Sequence, residues 1–381
     1  MRIFHVLKDS VCLVCGLMLM LTSGCITCCP PVTSQPANAP INEVIQEFPA
    51  GQPIQTAWKV QFGHGPGHGL FITGAWFKRA AGEAWMRVLW DARLSNIFVP
   101  YHPGSPRYLD LSYGFDLIPA SAADAGCCGS ILDSVVVKEV VDRGLAWKDH
   151  DLVHRGQELL LWATMDAANY NYVIQYAFRD DGTIAFRLGA SARNLPGMEF
   201  VAHMHNGLWR IDIDLDGAAH DSAMFMQHSE SIASLTATDS SVPFNNGIEG
   251  AADWDGSGFT ELGVIDTQRK NAHGRNIGYD LMPLRSGTPR HQEAFAHHDF
   301  WVTRYHGTEM DYTQLPTYIG NGESVTDSDI VLWYISPMHH LPRDEDGEFV
   351  GGFWKGSALI MWGGFDLRPR NLFDRTPLYP Y

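Results

Sequence analysis

Charge is sparse in this 381-residue sequence, and positive charge is sparser still. Only 18% of residues are charged, with 27 Lys and Arg against 43 Asp and Glu, a formal net charge of −16. Binding phosphates takes clustered Lys and Arg, so the balance argues against a nucleic-acid partner. It suits a cationic small molecule. Cysteine is scarce as well: of seven, Cys12 and Cys15 fall in an N-terminal apolar run, leaving Cys25, Cys28, Cys29, Cys127 and Cys128. Their two adjacent pairs form no disulfide framework and lack zinc-ribbon spacing. The run Val11 to Leu21 is too short to cross a bilayer, which excludes it as a transmembrane helix. Long helical periodicity is nearly absent. Ile131 to Arg143 is the best helical candidate, and it reads equally well as strand.

What is present is apolar and aromatic, 45% and 12% of the chain, enough for a large core. Beyond about residue 57 these residues fall in short alternating runs. NYNYVIQYAF (169–178) alternates throughout, RDDG turns, and TIAFRLGA returns, a strong hairpin signal. Similar punctuation recurs at Asp216-Gly217, Asn246-Gly247, Asn321-Gly322 and Asp346-Gly347. The prediction is a mainly β protein, one large antiparallel β-sandwich with long decorated loops.

At the N-terminus, Arg2 and Lys8 precede the apolar run and LTSGC follows it. This reads as a secretory signal, and LTSGC resembles the lipobox of bacterial lipoproteins, in which cleavage frees the cysteine, here Cys25, for lipidation. Pro and small polar residues from Cys28 to Ile41 suit a tether. The expected organisation is a lipoprotein-type signal over 1–24, a tether over 25–56 and one domain over 57–381. The mature protein is expected to be exported and held at a bacterial membrane by its lipid alone.

The segment VAHMHNGLWRIDIDLDG (201–217) carries the densest chemistry. In an extended strand, residues two apart share a face, so His203 and His205 form one pair and Asp212 and Asp214 another. The odd offset between the pairs points them to opposite faces, and at roughly 3.3 Å per residue they are too far apart to share one ion. Two sites on one strand are expected, one of imidazoles and one of carboxylates; solvated strand residues are the bland alternative.

Seven ordered segments between Trp58 and Pro377 together resemble the catalytic domain of the copper amine oxidases: WKVQFGHGPGHGL, ANYNY, the His-x-His strand, NIGYDLMPL, FWVTRY, DIVLWYISPMHHLPRDED and GFDLRPRNLFDRTP. The resemblance implies the β-sandwich of that catalytic domain without the smaller domains that usually precede it. It further implies that Tyr170 is the precursor of topaquinone, flanked by Asn169. Bound copper would ionise and activate the ring for attack by dioxygen, and the resulting quinone supplies an electron sink that unmodified side chains lack. The family carries Asp or Glu directly after this tyrosine, where this chain has Asn171.

For copper the resemblance implies His203, His205 and, from the His-x-Pro-Arg-x-Glu-Asp pattern, His340 rather than His339. Three imidazoles with open positions suit Cu(II), and zinc accepts the same ligands. Asp212, the Ile213 carbonyl, Asp214, Asp329 and the Ile330 carbonyl match the family's second cation site, whose hard oxygen ligands suit calcium or manganese; Asp216 is assigned to a turn. RYLDLSYGFDL nominates Asp110 as catalytic base and Tyr108 near the substrate entrance, and IFVPY nominates Tyr101 to hold the cofactor oxygen. Asp124, in AADAG, is a rival base that keeps a glycine two residues on, where Asp110 has Ser112; the flanking aromatic pattern favours Asp110.

The implied activity is oxidation of primary amines by dioxygen to aldehyde, ammonia and hydrogen peroxide, in a homodimer if the chain follows its family. The alternative is a non-catalytic metal-binding or interaction protein that keeps the scaffold.

Overall fold

Alternation settles the architecture. In the computed structural model, which describes residues 42–48, 55–101, 106–231, 233–255, 261–284, 287 and 290–378, the alternating runs form two large antiparallel sheets. The first follows the strand order Glu43–Phe48, Thr56–Gly65, Gly69–Lys78, Met86–Pro100, His203–Ile213, Ile330–His340, Phe300–Arg304 and Gly250–Ala252, with Arg107–Leu109 pairing beside Met86–Pro100. The second runs Thr236–Pro243, Asp221–Ser231, Glu261–Lys270, Asn276–Leu284, Ala358–Arg370, Ile184–Ala192, Tyr170–Arg179, Leu152–Ala167, Val136–Asp149 and Ser130–Leu132. The predicted hairpin is present: Tyr170–Arg179 pairs with Ile184–Ala192, and the Gly182 N–H closes the turn on the Arg179 carbonyl at 3.0 Å.

The sheets pack face to face through aromatic side chains. Trp209, from the first sheet, meets Tyr176, Phe186 and Phe365 from the second edge-on, with ring centroids 5.7–6.0 Å apart. Tyr334 meets Phe365 in the same way at 5.4 Å. Such pairs stabilise beyond the area they bury. One core cluster spans both sheets; a second, built on Leu208, Trp301, Trp333 and Ile335, covers the outer face of the first sheet. That second layer explains why all of His203–Ile213 is buried although alternate residues face opposite ways.

Two expectations need correction, and one open reading is decided. The segment assigned to a tether over 25–56 contains the strand Glu43–Phe48, which pairs with Thr56–Gly65 and buries Val44, Gln46 and Phe48; the alternation in EVIQEF outweighs the polar composition around it. Ile131 to Arg143, open between helix and strand, is strand, split between Ser130–Leu132 and Val136–Asp149. Cys128 is disulfide-bonded, whereas its neighbour Cys127 is a free, exposed thiol. The signal expected over 1–24, Cys25 and most of the tether lie outside the described residues.

Gly364 shows how tightly the second sheet closes. It holds φ +147°, and a Cβ there would sit 2.0 Å from the Phe186 carbonyl oxygen of the neighbouring strand. Gly364→Ala should therefore cost about 3 kcal/mol or more in urea unfolding. Gly197→Ala, at φ +83° with nothing within 4 Å, should cost only about 1 kcal/mol.

Candidate metal centre

Register brings the histidines together. His203 opens its strand and His340 closes the neighbouring one; antiparallel pairing sets them directly opposite, with His205 two residues further on the same face. All three are buried, and their donor atoms lie within 4.8 Å of one another. Odd-numbered Trp209, Ile211 and Ile213 join the core between the sheets, while Leu208 packs in the outer cluster with Arg210 and Asp212 on its side. The expected division of imidazoles and carboxylates between opposite faces therefore holds. His339 is exposed on the other face.

Hydrogen-bond partners fix which nitrogen of each ring carries a lone pair. His203 Nδ1 lies 2.8 Å from the Val201 carbonyl, which can only accept, so that nitrogen donates and Nε2 is left bare. His340 Nε2 lies 3.1 Å from the Asp346 carboxylate, so Nδ1 is bare. His205 Nδ1 meets the Tyr172 hydroxyl at 2.8 Å, and that hydroxyl donates to Asp110 at 2.6 Å, so His205 Nδ1 donates to the phenol oxygen. His205 Nε2 is then bare, buried and without a hydrogen-bond partner. Burial, with His203 and His340 alongside, holds the His205 imidazole far below the ordinary histidine range, and burial likewise lowers His340. Both shifts favour the neutral imidazole, the state that ligates metal.

From the opposite sheet, Tyr170 places its hydroxyl in this cluster, 2.9 Å from both His203 Nε2 and His340 Nδ1, while it donates to Asn194 Oδ1 at 2.7 Å. Its single proton cannot serve three acceptors. Lone pairs on three nitrogens and one oxygen face one another, a donor set that fits a cation and that no arrangement of the available protons satisfies. Burial, with Tyr101, Asp346 and Asp110 nearby, raises the Tyr170 phenol far above its usual range, so without a cation it stays protonated. Asp346 orients His340 as a carboxylate commonly orients a metal-bound histidine, and it is itself held by the Arg343 backbone and guanidinium.

The other nominated residues surround this centre. Tyr101 stacks on His203 with centroids 4.3 Å apart and planes 13° from parallel; its hydroxyl meets the Leu195 backbone. Tyr108 lies edge-on to Tyr101 at 6.2 Å. Asn169 braces the turn before Tyr170 through the backbone of Arg193, next to Asn194. Asp110 follows the strand Arg107–Leu109 at the start of a single 3-10 turn, half-buried, and burial lifts its carboxyl to about 6 despite the opposing Tyr172 hydrogen bond. The rival Asp124 is exposed and caps a short helix, accepting from the Ser121 hydroxyl and backbone at 2.6 and 2.8 Å. It is a structural cap away from the centre.

Tyr172, Asn194 and Asp346 were missed as site residues. Asp346 stood inside the quoted HHLPRDED segment but was read only as part of a turn signal. Tyr172 shares a strand face with Tyr170, and nothing in its local pattern separates it from a core aromatic.

At the far end of the same strand, Asp212 and Asp214 are buried and Asp329 is half-buried. Arg210 donates to Asp212 at 3.2 Å and to Asp91 at 2.9 Å, and Arg87 reaches Asp214 at 3.4 Å. Burial raises Asp212 to about 7 and Asp329 to about 6. Ile213 ends its strand and Ile330 begins its own. Among the described residues the three histidines, with donor atoms within 4.8 Å of one another, are the one group of three or more such side chains placed to hold a metal ion.

A large antiparallel β-sandwich with three buried imidazoles and a phenol in their midst defines a mainly β protein whose histidines could hold a metal ion. Comparison with known proteins adds that residues 195–380 match the family model for the copper amine oxidase enzyme domain. It is 24% identical over 369 residues to Primary amine oxidase 2 of Arabidopsis thaliana, covering 76% of this chain and 53% of the relative. It is 24% identical over 362 residues to Histamine oxidase of Arthrobacter globiformis, covering 76% and 51%. The chain thus spans about half the length of these curated relatives. The crystal structure of a copper-containing benzylamine oxidase from Hansenula polymorpha shares the fold, with a TM-score of 0.68 at 17% identity over 91% of this chain and 64% of that one. The Aspergillus nidulans amine oxidase does likewise, with a TM-score of 0.68 at 19% identity over 91% and 56%.

If Asp346 orients His340 for a metal, Asp346→Asn should weaken Cu(II) binding roughly 10–100-fold in a calorimetric titration. Tyr170→Phe should still bind the ion, because the three imidazoles remain.

Proposed function

We propose that the chain is a copper-dependent primary-amine oxidase whose quinone cofactor is made from Tyr170. The observation that carries this reading is the Tyr170 hydroxyl, 2.9 Å from bare nitrogens of two histidines of a three-histidine cluster. His203, His205 and His340 would hold the copper. With both groups in place, the metal supplies activation of the ring toward dioxygen, and topaquinone supplies an electrophilic carbonyl able to take up the amine's two electrons. The overall reaction would convert a primary amine, dioxygen and water to aldehyde, ammonia and hydrogen peroxide.

The chain's own residues divide the remaining work. Asp110 would take the proton from the carbon next to the amine nitrogen. With its carboxyl at about 6 it is ionised at neutral pH yet basic enough to accept that proton. The Tyr172 hydroxyl supports the ionised form and holds the carboxylate in place. Tyr101, packed flat on His203, would fix that ring and help exclude water. Asn169 and Asn194 would hold Tyr170 at the mouth of its strand. Asp212, Asp214 and Asp329, with the carbonyls of Ile213 and Ile330, would form the second cation site. The Arg2 and Lys8 flank, the apolar run and LTSGC support export with lipid attachment at Cys25.

Asn171, where the family carries an acid, favours a second reading in which the scaffold binds metal without forming the quinone. One measurement separates the two: peptide mass mapping and quinone staining after aerobic copper loading. The oxidase reading expects a modified Tyr170 and peroxide release with primary amines. An unmodified Tyr170 would leave the scaffold reading.

The pH profile tests the base. A carboxyl titrating near 6 predicts that kcat/KM falls as pH drops through about 6, as Asp110 takes up a proton. Tyr172→Phe removes a bond that favours the charged form, so that acid limb should move upward by roughly one pH unit. For stability the sign is opposite. The folded carboxyl titrates above its ordinary 3.8, so its contribution is fully present below about 4 and is lost as pH rises through about 6. Asp110→Asn should therefore abolish turnover while melting no lower than the parent at pH 8.

A further inference from the structure

Beyond the acids nominated from sequence, one more carboxylate occupies the same end of the sandwich. Asp221 opens the strand Asp221–Ser231 of the second sheet and is 1% exposed. Neither of its carboxylate oxygens has a hydrogen-bond partner. Its backbone is pinned from two directions: it pairs with Asp266 in the ladder, and its carbonyl accepts from Ser328 N–H at 2.9 Å, one residue before Asp329. Ser222 and Ala223 extend that link through Asp327 and Val325. The side chain is thus held, almost wholly buried, at the junction between the two sheets.

The charges that bear on Asp221 are acids, from Asp214, Asp266, Asp329 and Asp212 in turn. Asp266 is already satisfied by the backbone N–H groups of Gln268 and Arg269. Asp214 is not: one oxygen faces Arg87 at 3.4 Å, and the other, also buried, has no partner. Asp214 and Asp221 are thus two carboxylates without full partners, and Asp214 is the charge that bears most strongly on Asp221. Leaving such groups unpaired is costly, and the repair is a proton or a cation. The donors are all oxygen, which selects a hard ion.

We propose that Asp221 is a further ligand of the second cation site, a fourth carboxylate beside Asp212, Asp214 and Asp329 that makes the site selective for calcium. The inference rests on the reading of those three acids as a cation site. Calcium accepts six to eight oxygen ligands in flexible geometry and keeps water among them, which suits a site of carboxylates. Because Asp221 comes from the second sheet and Asp212 from the first, the ion would tie the sheets together at this end.

The test is calcium titration of full-length protein freed of divalent ions, by calorimetry and by thermal melting, on the parent, Asp221→Asn and Asp212→Asn. The parent should bind calcium and melt higher with it. Asp221→Asn should bind at least tenfold more weakly and lose most of the calcium-dependent rise. In chelator it should melt no lower than the parent, since it removes an unpaired buried acid. Asp221→Ser gives the same comparison should the Asn variant fail to fold, with copper binding at the histidines as the fold control. Equal calcium affinity in parent and Asp221 variants, with Asp212→Asn impaired, would overturn the role of Asp221 alone. A parent that binds no calcium would overturn the cation site with it. Neither result touches the copper and Tyr170 measurements.

Discussion

Everything at the centre of this protein depends on three imidazole lone pairs and a phenol oxygen facing one another with too few protons to go round. The conflict is built in by outward hydrogen bonds. Val201 takes the proton side of His203, Asp346 that of His340, and Tyr172 that of His205. Each contact turns one nitrogen away from the cluster and so bares the other toward it. Pairing His203 against His340 across adjacent antiparallel strands then makes the convergence a matter of register. A slip of one residue would send the histidines to the outer face, among Leu208 and Trp333.

The strand that carries two of these histidines is buried on both sides, which ordinary antiparallel strands seldom are. Its inner face is aromatic and apolar beyond the histidines, and its outer face holds Arg210, 0% exposed, between Asp91 and Asp212. A buried arginine left without its acids would be strongly destabilising, so the polar residues of the outer face are tied to one another as tightly as the ligands of the inner. The two faces communicate only through the backbone they share. That separation keeps the nitrogen-lined cluster of the inner face apart from the acids and arginine of the outer face.

Much of this was legible in the residues. The alternation of NYNYVIQYAF and the Asp-Gly turn predict the hairpin that presents Tyr170, and period two alone assigns His203 and His205 to one face with Asp212 on the other. Choosing His340 over His339 needed the family pattern, and the exposure of His339 agrees with it. What stayed hidden depends on long-range contact. Tyr172 becomes the link between Asp110 and His205 only because a loop some sixty residues upstream folds over it. Asp221 sits in a sequence with no metal-like spacing, and its isolation from hydrogen-bond donors is a property of the junction between sheets. Glu43–Phe48 was obscured by the proline-rich composition before it.

The three histidines belong to one sheet, and the tyrosine whose oxygen they surround belongs to the other. Neither sheet carries the cluster by itself. The histidines and the tyrosine hydroxyl converge only when the two leaves are packed face to face, so the centre is completed by the last, most long-range step of assembly and reports on the docking of the whole sandwich.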